Sequence, residues 1–342
     1  MTLGRSVGLT DTGRRRRRNE DSFVCEPPLF AIADGMGGAQ AGEVASRLAA
    51  AVLNETALVE AGELSEDRIA ELIQEANRRV FQRANEDAAA SGMGTTMTVA
   101  LVDGAAGTVA IGHVGDSRAY RVRDGELEQL TEDHSLVNEL LKSGKLSPEE
   151  AMSHPQRSVI TRAIGTEPDV DVDTFTVDAR PGDVFLLCSD GLTDMISDEE
   201  ILGLVRSGES DLEGAARGLV EAANTSGGGD NITVVAFEIA EGEDEARDTQ
   251  RFPAASTQAP TVDDEDTLSG LERVPAVDTA VISAADIREH GDGLLEADAE
   301  AAPETAVVPP RQPEPARRML PLLLLFLLLA TITVLVVWGL YR

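Results

Sequence analysis

Hydrophobic positions along the first 240 residues change period several times, and each change marks an element. Ser6 to Leu9 reads as a first strand, and Ser22 to Cys25 and Leu29 to Ala33 as two more, set around Pro27-Pro28. From about Gln40 to Val59 the apolar residues Val44, Leu48, Ala51 and Val52 recur at helical spacing. Leu64 to Ala90 predicts a second helix, with Ser65 as N-cap and Ile69, Leu72, Ile73, Ala76 and Val80 on one face. The period then changes. Thr95 to Val102 and Thr108 to Val114 are rich in β-branched residues and predict a hairpin. Ala119 to Val122 and Leu127 to Leu130 predict another, around Asp124-Gly125. Ser135 to Lys142 and Pro148 to Met152, the second capped by Ser147, read as two short helices of an inserted flap. Val170 to Val177 and Val184 to Cys188 are strands, helices start at Asp198 and Asp211, and Ile232 to Ile239 is the last strand.

Repeated hairpins argue for antiparallel sheets rather than βαβ crossovers. The order predicts an α+β fold: a four-layer αββα sandwich of two antiparallel sheets flanked by helix pairs. It assigns residues 1–240 to one globular domain. From Glu241 to Arg318 the chain is rich in Ala, Pro, Thr, Asp and Glu, too poor in apolar residues to offset chain ordering, and reads as a disordered linker. As a coil it would span roughly 50 Å. Leu320 to Leu340 carries no charge and predicts a membrane-spanning helix about 30 Å long, assigned to residues 319–340 with a short tail at 341–342. The start of the chain shows no apolar signal segment, and Arg317 and Arg318 precede the span. Together these place residues 1–318 on the cytoplasmic side of the cell membrane.

A formal net charge of −32 repels phosphate backbones and excludes general nucleic-acid binding. Cys25 and Cys188 lie far apart, without metal-ligand spacing, as expected in a reducing compartment. The chemistry concentrates elsewhere. Ala33-Asp34-Gly35-Met36-Gly37-Gly38 ends an apolar strand in a carboxylate beside a nearly bare backbone. Glycine lets a carbonyl approach a ligand closely, and a carboxylate with such a carbonyl suits a hard cation. Asp190 before Gly191, Asp230 after Gly227-Gly228-Gly229, and Asp116 in Gly115-Asp116-Ser117-Arg118 share this strand-end context. Any one of them alone is an ordinary turn former. Four brought to one rim could not all ionise without cations, and an oxygen-only cluster selects Mg²⁺ or Mn²⁺ over zinc.

Arg16-Arg17-Arg18-Asn19-Glu20-Asp21, Asp34-Gly35-Met36-Gly37-Gly38, Gly94-Thr95-Thr96, Gly115-Asp116-Ser117-Arg118, Ser189-Asp190-Gly191 and Asp230-Asn231 occur in this order. The series resembles the signature of the metal-dependent (PPM, or 2C-type) Ser/Thr protein phosphatases, over about residues 5–239. With the linker and terminal span it is similar to the bacterial membrane-anchored branch that opposes receptor-like Ser/Thr kinases. The resemblance implies two core ions, Mn²⁺ or Mg²⁺. Asp34 would bridge them, the Gly35 carbonyl would help hold one, and Asp190 and Asp230 the other. Asp116, with Asp190, would hold a weaker third ion. Glu20 and Asp21 would orient waters, and Arg16 would grip the substrate phosphate. The implied reaction is direct attack of activated water on phosphoserine or phosphothreonine in proteins, without a phosphoenzyme. The pattern departs from many members at Met36 and Ala39, where a histidine is often found, so the leaving-group acid is open. His154 is a candidate, while His113 reads as a core histidine and His134 as a local cap partner.

Other classes fit less well. A Cys-based phosphatase needs Arg six positions after Cys, but Cys25 and Cys188 meet Ala31 and Asp194 there. No P-loop is present. A membrane-tethered scaffold would have lost a ligand position, yet each is filled. A partner-switching phosphatase acting on an anti-sigma antagonist would usually carry a sensor domain in front.

Overall fold

The computed structural model describes residues 1–37, 41–57, 65–87, 90–152, 154–207, 211–241 and 280–281. The chain divides into two units, Met1–Glu289 and His290–Arg342, and the described residues all lie in the first. Among them no helix is long and apolar enough to cross a membrane; the expected span, like most of the expected linker, lies outside them.

One sheet contains β2 (Asp21–Glu26), β3 (Leu29–Met36), β5 (Met97–Asp103), β6 (Thr108–Val114) and β10 (Asp173–Asp178), in the order β10-β6-β5-β3-β2, with β4 (Gly94–Thr95) paired to β3. The other contains β1 (Thr2–Asp11), β7 (Arg118–Arg123), β8 (Glu126–Gln129), β11 (Val184–Cys188) and β12 (Ile232–Ala240), in the order β1-β12-β11-β7-β8. Every neighbouring pair within these two sheets is antiparallel. The β7–β8 turn is the Asp-Gly hairpin expected from sequence: Asp124 and Gly125 have φ of 52° and 80°, the left-handed pair that matches strand twist.

Alternation along the buried strands builds the layers. Phe30 and Ile32 of β3, Phe185 and Leu187 of β11, and Val235, Phe237 and Ile239 of β12 pack between the sheets. Leu29, Ala31 and Ala33 turn the other way, onto α1 (Ala41–Ala57) and α2 (Glu66–Glu86). Val184, Leu186 and Cys188 turn onto α6 (Asp198–Ser207) and α7 (Leu212–Thr225). This explains why these strands are continuously apolar: both faces are covered. Gly112 of β6 permits the close seat of α2, since a Cβ there would stand 2.1 Å from Ile69 Cγ2.

Ser65 caps its helix as the sequence predicts, and Asp211, expected as a helix start, is the N-cap of α7. The Ser65 hydroxyl accepts the Arg68 N–H, and Asp211 accepts the Gly214 N–H at 3.0 Å. The flap carries α3 (Leu136–Lys142) and α4 (Pro148–Met152), followed by β9 (Val159–Ile160). Two expectations change. The first strand runs from Thr2 rather than Ser6, because β12 is long enough to pair with it throughout, past an irregularity between Leu3 and Ser6. The strand expected from Val170 begins at Asp173. Residues 167–170 are instead held by α2, whose Asn77 donates to the Glu167 and Pro168 carbonyls and Gln74 to that of Val170.

Phe237 is fully buried and stacks on Phe30 at 4.2 Å and on Phe185 at 5.1 Å between ring centroids, joining strands of both sheets. Phe237→Ala is expected to cost about 3–5 kcal/mol and lower Tm by roughly 10 °C. A thermal melt showing less than about 3 °C would remove this stack as the keystone of the inner layer.

Candidate metal centre

Antiparallel pairing gathers the predicted carboxylates. β3, β6 and β11 end at the same rim of the sandwich at which β2 and β12 begin. Asp34 lies near the end of β3, opposite Asp21 at the start of β2. Asp116 follows β6 after Gly115, and Asp230 stands two residues before β12. Asp190 follows β11 and opens α5 (Asp190–Thr193), a single turn that the sequence did not announce. Asp34, Asp116 and Asp190 line one cleft with Met36, Thr96 and Ile160.

Hydroxyls and peptide groups hold this arrangement. Asp34 N–H donates to Thr96 Oγ1 at 3.0 Å, and Thr96 N–H donates back to the Asp34 carbonyl at 2.8 Å. Thr96 Oγ1 also meets Ser117 Oγ at 2.8 Å, which fixes the turn carrying Asp116 against β3. Asp21 reaches across to the other sheet: Oδ2 accepts from Ser189 Oγ at 3.0 Å and from Thr233 Oγ1 at 2.5 Å. Gly35 and Gly42 are in backbone contact, since a Cβ at Gly35 would stand 2.2 Å from the Gly42 carbonyl oxygen. The start of α1 is thereby pressed onto β3 beside Asp34.

The arginine loop, residues 14–18, follows β1 to the same rim. Arg14 and Arg15 N–H donate to the Gly228 carbonyl, and Asn231 Nδ2 donates to the carbonyls of Thr12 and Arg18 at 2.9 Å. Arg16 makes an ion pair with a predicted ligand: its Nη2 stands 2.7 Å from Asp230 Oδ2. Its charge also acts on Asp34 and Asp190. Glu20 is half-buried, with its N–H on Asn231 Oδ1 at 2.8 Å.

Electrostatics give the cluster its character. Burial, then the charges of Asp21, Asp190, Asp230 and Asp116, hold the Asp34 carboxyl well above the usual range. Asp190 is raised in the same way, first by burial and then by Asp116 and Asp230. Burial pushes Asp21 up to about 6 despite its two hydroxyl donors, and burial with Asp133 pushes Asp116 up to about 7. Asp21 Oδ1 and Asp190 Oδ1 are buried without a hydrogen-bond partner. Among the described residues no three His, Cys, Asp or Glu side chains already form a closed metal-ligand group. Asp230 is turned to Arg16, and Asp21 to the two hydroxyls. The donor set still fits a hard divalent cation: it is all oxygen, two of its acceptors are orphaned, and its negative charge is too dense to stand alone.

The histidines sort differently from expectation. His113 is buried as predicted, with Nδ1 2.9 Å from Thr98 Oγ1, and burial lowers it to about 3. His154 does not line the cleft; its Nδ1 accepts the Gln156 N–H within a turn. His134 is not a helix-cap partner, since Ser135 caps α3 itself. Its Nδ1 accepts the Gly115 N–H at 3.0 Å and its own N–H donates to the Gly115 carbonyl at 2.7 Å. Nε2 then carries the proton and faces Asp173 Oδ2 at 3.1 Å. His134 thus pins the turn that carries Asp116, a role that no sequence spacing signals.

Residues 14–217 match the family model described as Protein phosphatase 2C. The chain belongs to the protein phosphatase 2C family. Over 239 residues it is 44% identical to the Serine/threonine phosphatase stp of Listeria welshimeri, covering 67% of this chain and 93% of that one. The crystal structure of the Mycobacterium tuberculosis serine/threonine phosphatase PstP/Ppp superposes with a TM-score of 0.66 at 40% identity, covering 70% of this chain and 100% of that one. The catalytic domain of PstP in complex with two manganese ions superposes with a TM-score of 0.63 at 38% identity, covering 70% and 99%. The phosphatase 2C domain of this chain therefore has the two-sheet α+β architecture expected from its sequence.

Two outcomes follow from the site. Carboxylates raised in the fold above their unfolded values near 4 stabilise the fold at low pH, and lose that contribution as pH rises through the folded values. In chelator, Tm is therefore expected to fall between about pH 5 and pH 8 as Asp21 and Asp116 ionise. Asp116→Asn should flatten that fall; an unchanged slope would mean Asp116 is ionised throughout. Loss of the Gly115 anchor in His134→Ala is expected to raise the Mn²⁺ concentration for half-maximal activity about tenfold. His134→Asn keeps an acceptor and should recover part of the loss in a Mn²⁺ titration.

Proposed function

We propose that this protein hydrolyses phosphoserine and phosphothreonine in phosphorylated proteins, using two core Mn²⁺ or Mg²⁺ ions held by Asp34, the Gly35 carbonyl, Asp190 and Asp230. Asp116 and Asp190 would hold a weaker third ion. The observation that carries the reading is the gathering of Asp34, Asp116 and Asp190 on one cleft, with Asp21 and Asp230 in electrostatic contact and Arg16 on Asp230. When bound, the ions supply the Lewis acidity that provides hydroxide near neutral pH and offset charge on the phosphoryl oxygens.

The chain's own residues do the rest. Asp34 feels four other carboxylates and would serve as a ligand of both core ions. Arg16 exchanges its Asp230 contact for the substrate phosphate, whose equatorial oxygens match a guanidinium fork. Asp21 and Glu20 accept hydrogen bonds from waters at the cleft and orient them. His113, His134 and His154 do not line the cleft, so the leaving Ser or Thr oxygen takes its proton from water. Neither cysteine serves as nucleophile: burial pushes the Cys188 thiol up to about 12 and the Cys25 thiol up to about 11.

The test is hydrolysis of an aryl phosphate and a phosphothreonine peptide with and without Mn²⁺. Activity should vanish in chelator and return with the metal. Asp190→Asn should lower kcat about 100-fold or more. Arg16→Ala should raise KM about tenfold, the loss of one charge-assisted contact worth about 1.5 kcal/mol. Full activity in chelator would overturn the mechanism.

The uncharged stretch 319–340 supports a second part of the proposal. It anchors the protein in the cell membrane, with the catalytic domain facing the cytoplasm near membrane Ser/Thr kinases, which it opposes. Deleting residues 319–342 should move the protein from the membrane to the soluble fraction on centrifugation. Retention of the truncated protein in the membrane pellet would rule the anchor out.

A further inference from the structure

β9 is the one strand of the described residues that belongs to neither large sheet and yet touches the metal cleft. Its Ile160 is fully buried and lines the cleft with Asp34, Met36, Thr96, Asp116 and Asp190. On its inner side β9 is fixed to the root of the flap. Ile160 forms an antiparallel bridge with Ser135, and the Thr161 N–H donates to the His134 carbonyl at 2.8 Å. Peptide groups of successive residues in a strand point to opposite edges. With Thr161 committed inward, the N–H and C=O of Ile160 face outward, which leaves β9 a hydrogen-bonding edge beside the cleft.

That outer edge is occupied by a distant part of the same chain. Ala280–Val281 forms a two-residue strand, β13, which pairs with β9 in parallel, Ala280 opposite Val159 and Val281 opposite Ile160. In sequence this dipeptide sits within Val277-Asp278-Thr279-Ala280-Val281-Ile282-Ser283. The run is rich in β-branched residues, unlike most of the Pro-, Ala- and acid-rich chain around it, so it is suited to pairing as a strand. It also carries a threonine one residue before the paired dipeptide and a serine two residues after it. Ala280–Val281 pairs as a strand beside the cleft, and its sequence neighbours include the hydroxyl residues that a protein substrate of this site carries.

We propose that the outer edge of β9 is a polypeptide-docking edge of the active site, and that the segment around Ala280–Val281 is its resident occupant, in competition with phosphoprotein substrates. The proposal rests on the phosphatase reading above and adds where the substrate backbone binds. Main-chain hydrogen bonds to an exposed edge accept many sequences, while the side chains flanking them give preference. Because the occupant is tethered, its effective concentration is on the order of millimolar, so even a weak pairing holds it in place. A small aryl phosphate enters the cleft without needing the edge. The competition should therefore be visible only with peptide or protein substrates.

The experiment compares the full chain with its Ala280→Pro/Val281→Pro double variant, in Mn²⁺. Proline removes the backbone donors of the dipeptide and leaves the catalytic residues untouched. With a phosphothreonine peptide, KM is expected to fall about three- to tenfold at unchanged kcat. With p-nitrophenyl phosphate, both constants should stay the same. A synthetic peptide of residues 274–286 should restore the higher KM when added to the variant. Hydrogen exchange at the Ile160 amide provides a readout that does not need activity: protection present in the native chain should be lost in the variant. An unchanged peptide KM, an equal change with p-nitrophenyl phosphate, or unchanged exchange at the Ile160 amide would each overturn the proposal. Exchange that responds as expected in a protein without Mn²⁺-dependent phosphatase activity would support the docking edge while refuting the phosphatase reading.

Discussion

Mutual repulsion among buried carboxylates is the constraint around which this domain is arranged. Asp21, Asp34, Asp116 and Asp190 are each held above the ordinary carboxylate range, mainly by burial and then by neighbouring acids. Such a cluster relaxes if its scaffold yields, and here the scaffold does not. Asp34 and Asp21 are locked opposite each other in an antiparallel ladder. Asp21 is bonded to hydroxyls of the facing sheet, so the two sheets cannot part at the rim without breaking those bonds. The remaining ways to relieve the repulsion are protons, a neighbouring guanidinium or divalent cations. The fold thus stores electrostatic free energy that ion binding releases, which is why the cluster suits metal chemistry.

The rigidity has a source in the layers. Between the sheets, Phe30, Phe185 and Phe237 stack. Outside them, each sheet is covered by a helix pair that buries the alternate side chains of the same strands. A strand packed on both faces cannot slip by one residue without exposing half of its apolar side chains. Register is therefore strongly determined, and with it the position of every carboxylate at a strand end. The flap is tied in by separate contacts: His134 clamps the Gly115 peptide, and Arg157 reaches Asp194 at 3.3 Å. Ile160 brings the flap's returning strand to the cleft itself.

Much of this was legible in the chain because the relevant signals are local. Continuous apolar runs such as Val184 to Cys188 match the observed strand end for end. Asp124-Gly125 specifies its own turn, and Ser65 and Asp211 specify their own caps. The family motifs were readable because each acid stands at a strand boundary beside glycine. What escaped was either too short or too distant. β4, β9 and α5 are single pairings or a single turn, stabilised by what lies across from them. The first strand reaches back to Thr2 only because β12 is there to pair with it. Val170 continues the β-branched run that follows it, yet Gln74 of α2 claims its carbonyl and the strand starts only at Asp173.

The sequence by itself determined the element types, the two-sheet class, the acidic residues able to hold ions and the one arginine spaced to meet them. These follow from hydrophobic period, turn chemistry and motif, all encoded within a few residues of one another. The tertiary structure decided which acids share a cleft, that Arg16 rests on Asp230, that His134 anchors the turn before Asp116, and that β9 presents an edge where Ala280–Val281 pairs. Each of those contacts joins residues far apart in the chain. Hydrogen-bond partners and electrostatic neighbours at such separations are set by strand register and by packing between layers, and no local pattern of side chains carries that information.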